Sequence, residues 1–181
     1  LEKTTNGEAI SAFALSEPKS GSDVANIELS AVSDAKGWIL DGEKTWISNG
    51  INGNCLAVLT KTDPNADPRH RGMSLFLCEK GEGFTVGKKL KKLGYRSIDS
   101  AELIFDDFHV SANNLIGGEE GLGFAQVAGG LELGRINIAA RGAGMAKGAT
   151  DMALAYAMER KTFGKRLAEH QAIQLKLAEM S

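Results

Sequence analysis

The stretch Gly37-Trp38-Ile39-Leu40-Asp41-Gly42-Glu43-Lys44-Thr45-Trp46-Ile47-Ser48 decides the fold class. Aliphatic and aromatic residues lie on both sides of Asp41-Gly42, a dipeptide that is typical of a two-residue hairpin turn. We therefore predict a β-hairpin that turns at Asp41-Gly42. Because successive side chains of a strand alternate between its faces, Trp46 and Ser48 are predicted to share one face.

Short strand-like segments continue on both sides of this hairpin. Residues 27–32 alternate with period two, and short apolar runs follow at residues 55–60, 73–78, 84–86 and 101–105. Short strands at close spacing with glycine-rich turns are typical of a sandwich or a barrel. We therefore predict an antiparallel β-sandwich or β-barrel domain over residues 1–120.

The chain becomes helical beyond residue 120. The segment from Phe124 to Lys161 has many Ala, Leu, Met and charged residues and no proline, which predicts one long helix ended by Gly164. A second helix is predicted from Glu169 to the end of the chain. The predicted fold class is therefore α+β, with a β domain at 1–120 followed by two long helices in a second domain at 121–181.

Length and composition give no support to several classes of protein. The chain has 181 residues, 43% of them apolar, and its formal charge is 21 − 23 = −2, which gives no support to nucleic-acid or polybasic membrane binding. No apolar run approaches the ~18 residues of a membrane span. The N-terminus lacks a signal-peptide pattern, so we expect a protein that is not secreted. Both ends of the chain are expected to lie inside a longer protein.

The cysteine, histidine and glycine patterns predict no disulfide, metal site or dinucleotide site. Cys55 and Cys78 are expected to be free thiols, and no histidine or cysteine spacing predicts a metal site. The glycine-rich run at residues 142–148 is no dinucleotide fingerprint, because that motif needs a preceding strand and here helix-forming sequence lies on both sides.

Three segments carry residue types that suit ligand binding. Residues 13–23 run from apolar residues into a polar loop of small side chains, which suits an extended ligand or is an ordinary turn with an Asp cap. In residues 44–50, an indole and a hydroxyl on one face suit a planar ring, the alternative being a core Trp. Residues 159–166 place four basic residues at a helix junction, which suits a diphosphate or is a solvated charge run.

The three segments, in this order, resemble signatures of the acyl-CoA dehydrogenase family. Residues 15–23 (LSEPKSGSD) are similar to its first signature, with Asn26 where a small residue is usual, and Trp46-Ile47-Ser48-Asn49-Gly50 is similar to its W-I-S/T-N-G strand. Residues 93–97 and 105–110 resemble the end of its middle domain. The segment Glu159 to Gly164, followed by His170-Gln171, resembles its E-R-x-x-F-G…Q segment. The resemblance extends from about Ala12 to Ser181.

The resemblance implies a fold and a reaction. Family members have a middle β-domain between an N-terminal helical domain and a C-terminal four-helix bundle, so this chain would hold the middle domain and two helices of a truncated bundle. They bind FAD and oxidise the α–β bond of an acyl-CoA thioester. The resemblance further implies a homodimer or homotetramer, electron-transferring flavoprotein as acceptor, a role in fatty acid metabolism, and a location in the bacterial cytoplasm or the mitochondrial matrix.

The resemblance also assigns residues to a site. Cofactor binding is implied for Phe13, Leu15, Ser16, Gly21, Ser22, Trp46, Ile47, Ser48, Arg160, Thr162, Phe163 and Gln171. The indole of Trp46 would lie beside the flavin ring, and the hydroxyl of Ser48 would bind its central nitrogen. Substrate contacts are implied for Ser22, Glu132 and Arg135. The segment from Arg160 to Gln171 would reach the FAD of a neighbouring subunit.

No catalytic base is assigned within the chain. In one branch of the family the base precedes the arginine that matches Arg135, and Gly134 occupies that position here. Glu132 lies about 200° away around a helix, so we expect the base to lie beyond Ser181 and this chain alone to be inactive. Two alternatives stay open, namely an acyl-CoA oxidase or flavin monooxygenase on the same scaffold, and a non-catalytic β-module.

Overall fold

The computed structural model describes residues 2–181. The chain forms two compact units that divide between Gly129 and Gly130. This division falls inside a helix, so the first turns of that helix belong to the β unit.

The first unit is built on a curled mixed sheet. Its elements are α1 (Glu2–Thr5), β1 (Ser11–Ala14), β2 (Ser30–Asp34), β3 (Gly37–Ser48), β4 (Cys55–Lys61), β5 (Met73–Glu79), β6 (Phe84–Lys89) and β7 (Ser100–Ser111). The strands follow the order β1-β4-β2-β3-β7-β6, and β5 also pairs with β4. The α+β class with the strands first is confirmed. The sheet is not wholly antiparallel, because β4 runs parallel to β1 and to β2.

The predicted hairpin at Asp41-Gly42 is wrong, because β3 passes through that dipeptide without turning. Asp41 Oδ1 accepts a hydrogen bond from the backbone N–H of Asp107 at 2.8 Å, across a bulge in β7. Gly42 has φ +138°, and a Cβ atom there would lie 2.8 Å from the Cα of Leu29. Asp41 therefore binds the bulge in β7, and Gly42 allows the backbone of β3 to approach Leu29 closely. The actual hairpin joins β2 to β3, where Asp34 pairs with Gly37.

Two apolar clusters hold the first unit together. The larger lies inside the curled sheet and includes Trp38, Leu40, Phe76, Leu103 and Phe105, each no more than 8% exposed. The smaller packs Ile27, Leu59, Met73, Leu75 and Val127 together. Val127 belongs to the first turns of the long helix, so those turns close one side of the sheet.

The second unit contains the rest of this helix. Its elements are α2 (Gly123–Glu159, begun in the first unit), β8 (Lys161–Thr162), β9 (Lys165–Arg166) and α3 (Gln171–Met180). Both predicted helices are confirmed in position, but Gly164 does not end α2. Phe163 and Gly164, with φ of 49° and 80°, form the two-residue turn between β8 and β9. Positive φ at both positions is the geometry that such tight turns require.

Candidate functional site

The ends of β1 and β3 lie side by side and form a surface that we call the Trp46 surface, made of Phe13, Leu15, Ser16, Trp46 and Ser48. The two segments run in opposite directions and are joined at both ends. The backbone N–H of Thr45 donates to the carbonyl of Ser16 at 2.8 Å, and Asn49 Nδ2 donates to the carbonyl of Ser11 at 3.1 Å. Two of the three segments singled out in the sequence therefore meet in the fold.

A bulge in β3 turns Trp46 outwards. The pairing of β3 with β7 shifts between Lys44 and Ile47, and Trp46 within this shift has φ 59°. Its side chain is 60% exposed, whereas Ile47 is 2% exposed and lies in the core. The core tryptophan of this sheet is Trp38, so the alternative of a core Trp46 is excluded.

The predicted common face of Trp46 and Ser48 is confirmed, since both side chains are exposed while Ile47 between them is buried. Phe13 is also exposed, at 40%, and Leu15 and Ser16 are half-buried. The side chain of Ile47 is turned away from this surface, which leaves only its backbone for contact with a ligand.

A buried ion pair lies beneath the Trp46 surface. Lys44 Nζ lies 2.8 Å from Glu17 Oε1, with the two side chains 0% and 5% exposed. Lys44 also donates to the carbonyl of Leu15 at 3.0 Å. The Glu17 carboxylate accepts from the backbone N–H groups of Glu28 and Leu29 at 2.6 and 3.0 Å. Both charges are thus paired and hydrogen-bonded, as buried charges require.

Burial lowers the pKa of Lys44 from its ordinary value of 10.5 to about 8, against the raising effect of Glu17. No local pattern predicts this pair, because a lysine flanked by Glu43 and Thr45 is typical of an exposed strand position. Two further residues escaped the sequence analysis. Asp99 and Lys80 bind the loop that follows Ser48.

Gly21 and Ser22 lie in the turn that follows the first segment. Glu17 and Ser20 exchange two backbone hydrogen bonds, of 2.7 and 3.1 Å, which close a four-residue turn at Pro18-Lys19. Gly21 and Ser22 come directly after it and are exposed. Their exposure leaves them free to meet an extended ligand.

The third segment forms a compact exposed group within the second unit. Arg160 follows α2, and its carbonyl accepts from the backbone N–H of Leu167 at 2.8 Å, which closes the open end of the β8–β9 hairpin. Thr162 Oγ1 lies 3.4 Å from His170 Nε2, next to Gln171 at the start of α3. Phe163 at the hairpin tip is 98% exposed. Among the described residues, the Arg160 guanidinium has no hydrogen-bond or ion-pair partner.

Glu132, Gly134 and Arg135 lie on α2 in the second unit. The side chains of Glu132 and Arg135 are exposed. A Cβ atom at Gly134 would meet nothing within 4 Å, so a side chain is sterically possible there.

Residues 2–181 offer no metal site and no membrane-spanning helix. No group of three or more His, Cys, Asp or Glu residues in that range could hold a metal ion. None of the described helices is long and apolar enough to cross a membrane. Cys55 and Cys78 are free, and burial raises the pKa of Cys78 to about 12.

The residues of the Trp46 surface fit a flavin ring. An exposed indole held in place by a bulge offers a flat apolar face to a planar heteroaromatic ring, and an exposed hydroxyl two residues away offers a hydrogen bond. Arg160, whose exposed side chain has no hydrogen-bond or ion-pair partner among residues 2–181, fits a phosphate group.

Comparisons with known proteins identify the family of this chain. The family model for the middle domain of acyl-CoA dehydrogenases matches residues 12–108, and the model for the C-terminal domain matches residues 121–181. The chain therefore belongs to the acyl-CoA dehydrogenase family.

Individual relatives show how much of a family member is present. Isovaleryl-CoA dehydrogenase of Pongo abelii is 40% identical over 181 residues, which cover 99% of this chain and 43% of that protein. Short-chain specific acyl-CoA dehydrogenase of Bos taurus is 42% identical over 98% of this chain and 42% of its own length. A crystal structure of an acyl-CoA dehydrogenase from Geobacillus kaustophilus superposes with a TM-score of 0.90 at 44% identity, covering 98% of this chain and 47% of that one. The chain thus spans less than half the length of these relatives.

Proposed function

We propose that the full-length protein containing this chain is an FAD-dependent acyl-CoA dehydrogenase. The observation that carries this proposal is the Trp46 surface, where an outward indole and an exposed hydroxyl lie on the same end of β3. Bound FAD would supply one capability, the acceptance of a hydride from the β-carbon of an acyl-CoA thioester.

The role of this chain's residues in the proposal is to bind the flavin and the substrate and to orient them. Trp46 and Phe13 would pack against the flavin ring, and Ser48 would donate a hydrogen bond to its central nitrogen. A donor at that place favours the negative charge that the ring gains on reduction. Leu15, Ser16, Gly21 and the backbone of Ile47 border the same ligand, and Ser22 lies towards the CoA arm. By the family resemblance, Glu132 and Arg135 would contact the substrate.

The remaining cofactor contacts would belong to a second copy of the protein. Arg160, Thr162, Phe163 and Gln171 would reach the FAD of a neighbouring subunit, which requires a homodimer or homotetramer. Within this proposal, residues 1–120 form the flavin- and substrate-binding domain and residues 121–181 begin the helical bundle.

The proposal extends to the reaction partners and location. The α-proton would go to a carboxylate base outside this chain, the β-hydride to the flavin, and the electrons onward to an electron-transferring flavoprotein. The protein would work in fatty acid metabolism, in a bacterial cytoplasm or the mitochondrial matrix.

The test is titration of the full-length apoprotein with FAD, followed by flavin fluorescence. Trp46→Ala should raise the dissociation constant by about tenfold, because it removes a ring-stacking face. Val32→Ala is the matched control, since Val32 is 62% exposed on the same sheet, and it should leave the dissociation constant unchanged. Equal affinities of Trp46→Ala and wild type would remove the Trp46 surface from the flavin site.

A further inference from the structure

The loop that follows Ser48 is held by two charged residues from distant parts of the chain. We call residues 49–54 the Asn49 loop. Asp99 Oδ2 accepts from the backbone N–H of Ile51 at 2.6 Å, and Oδ1 accepts from Asn52 Nδ2 at 3.1 Å. The carbonyl of Asp99 accepts from the backbone N–H of Asn49 at 3.2 Å.

Lys80 binds carbonyl groups of the same loop, whereas Asp99 binds its N–H groups. Its Nζ donates to the carbonyls of Gly50 and Ile51 at 3.0 and 2.7 Å, and lies 5.5 Å from the centre of the Phe84 ring. Desolvation lowers the pKa of Lys80, against the raising effect of Asp99. The Asp99 carboxylate thus binds hydrogen-bond donors of the Asn49 loop, and the Lys80 ammonium binds its acceptors.

Asp99 is also the neighbour of the residue opposite Ser48. Ser48 pairs with Ser100 across the sheet, and Ser100 directly follows Asp99. Asp99 is 6% exposed, so its carboxylate has few options besides the loop donors. The backbone at Ser48 is therefore held on two sides, by its pairing with Ser100 and by the bonds of Asp99 to the loop that follows.

We propose that Asp99 is a positioning residue, which holds the Ser48 end of β3 rigid for ligand binding through its bonds to Ile51 and Asn52. This inference rests on the proposed function, because the ligand is the flavin. Asp99 does not touch the flavin and acts through the backbone that carries Ser48. Bonds to a charged acceptor are stronger than neutral ones, and losing both should loosen the loop.

The experiment uses the full-length apoprotein and two measurements. Asp99→Ala should raise the FAD dissociation constant about tenfold and speed hydrogen exchange at the Ile51 amide. The control is Asp41→Ala. Asp41 lies on β3, like Ser48, and its carboxylate accepts a hydrogen bond from the backbone N–H of Asp107 on β7, which this variant removes. It should speed exchange at Asp107 and leave FAD affinity unchanged. A swapped pair, Asp99→Asn with Asn52→Asp, keeps an amide–carboxylate bond and should restore much of the affinity.

The outcomes separate the two proposals. If the wild type binds FAD and Asp99→Ala binds it equally well, the positioning role is wrong while the proposed function stands. If both Asp99→Ala and Asp41→Ala weaken binding alike, Asp99 is only a structural residue. If the wild-type protein binds no FAD, the proposed function fails, and with it the role of Asp99.

Discussion

Lys44 Nζ lies 2.8 Å from Glu17 Oε1, in a pair that is almost fully shielded from water. These two residues stand 27 positions apart in the sequence and belong to the two segments that form the Trp46 surface. Lys44 binds the carbonyl of Leu15, and Glu17 binds the backbone at Glu28 and Leu29. The pair therefore fixes the first segment against β3.

Lys44→Met should lower the free energy of unfolding by about 3–5 kcal/mol, because it leaves a buried carboxylate without its cation. Denaturant unfolding of the full-length apoprotein measures this loss. Lys147→Met is the control, since Lys147 Nζ also lies 2.8 Å from a carboxylate, that of Asp151, but the side chains are 77% and 62% exposed. An exposed pair contributes little. Equal losses in both variants would contradict a special role for the buried pair.

The same lysine predicts a pH dependence. With a folded pKa of about 8 and an ordinary value of 10.5, Lys44 binds protons more weakly in the folded than in the unfolded state. Between these values the unfolded state binds more protons, so the contribution of Lys44 to stability rises with pH. The melting temperature of wild type minus that of Lys44→Met should increase from about pH 7 to about pH 10. A difference that is constant or falls would show that burial does not depress this pKa.

Most strands of the sheet and both long helices could be predicted from the sequence, but β1, the β8–β9 hairpin and the connection at Asp41-Gly42 could not. The same dipeptide suits a hairpin turn and a bulge, and the choice depends on Leu29 and Asp107, which are distant in sequence. The prediction that Gly164 ends α2 is wrong for a similar reason. Glycine readily adopts a positive φ, and a positive φ suits both the end of a helix and a tight turn such as the one between β8 and β9.

In the candidate site, too, some features could be predicted from the local sequence and others depend on distant residues. The common face of Trp46 and Ser48 follows from strand alternation alone and was predicted. The outward direction of Trp46 depends on a bulge, and burial of Lys44 depends on Glu17 meeting it in the fold. Pairings between residues far apart leave no local pattern, which is also why Asp99 and Lys80 escaped notice.

Arg160→Ala should weaken FAD retention more than it alters the chemical step. The guanidinium is exposed on the segment that follows α2, and a charge-assisted bond to phosphate contributes about 1.5–3 kcal/mol. Flavin content after gel filtration of the full-length protein measures the effect. Lys161→Ala removes a neighbouring exposed charge and should retain flavin. Unchanged retention in Arg160→Ala would remove this residue from the cofactor site.

Glu132→Gln in the full-length protein should leave kcat within a small factor of wild type, and any loss should appear in KM, because Glu132 is proposed to contact the substrate and not to act as the base. Glu132 is an exposed residue two positions from Gly134, and two residues along a helix correspond to about 200° of rotation. The measurement is the rate of acyl-CoA oxidation together with exchange of the substrate α-proton. Loss of both by several orders of magnitude, with FAD and substrate still bound, would identify Glu132 as the base.

The absorbance spectrum of the full-length protein tests the central claim most directly. We predict visible flavin absorption that bleaches when at least one member of a panel of acyl-CoA thioesters is added under anaerobic conditions. Bleaching requires both a bound flavin and a substrate from which it accepts a hydride. A purified full-length protein that binds no flavin, or a flavin that no acyl-CoA reduces, would contradict the assignment of acyl-CoA dehydrogenase activity.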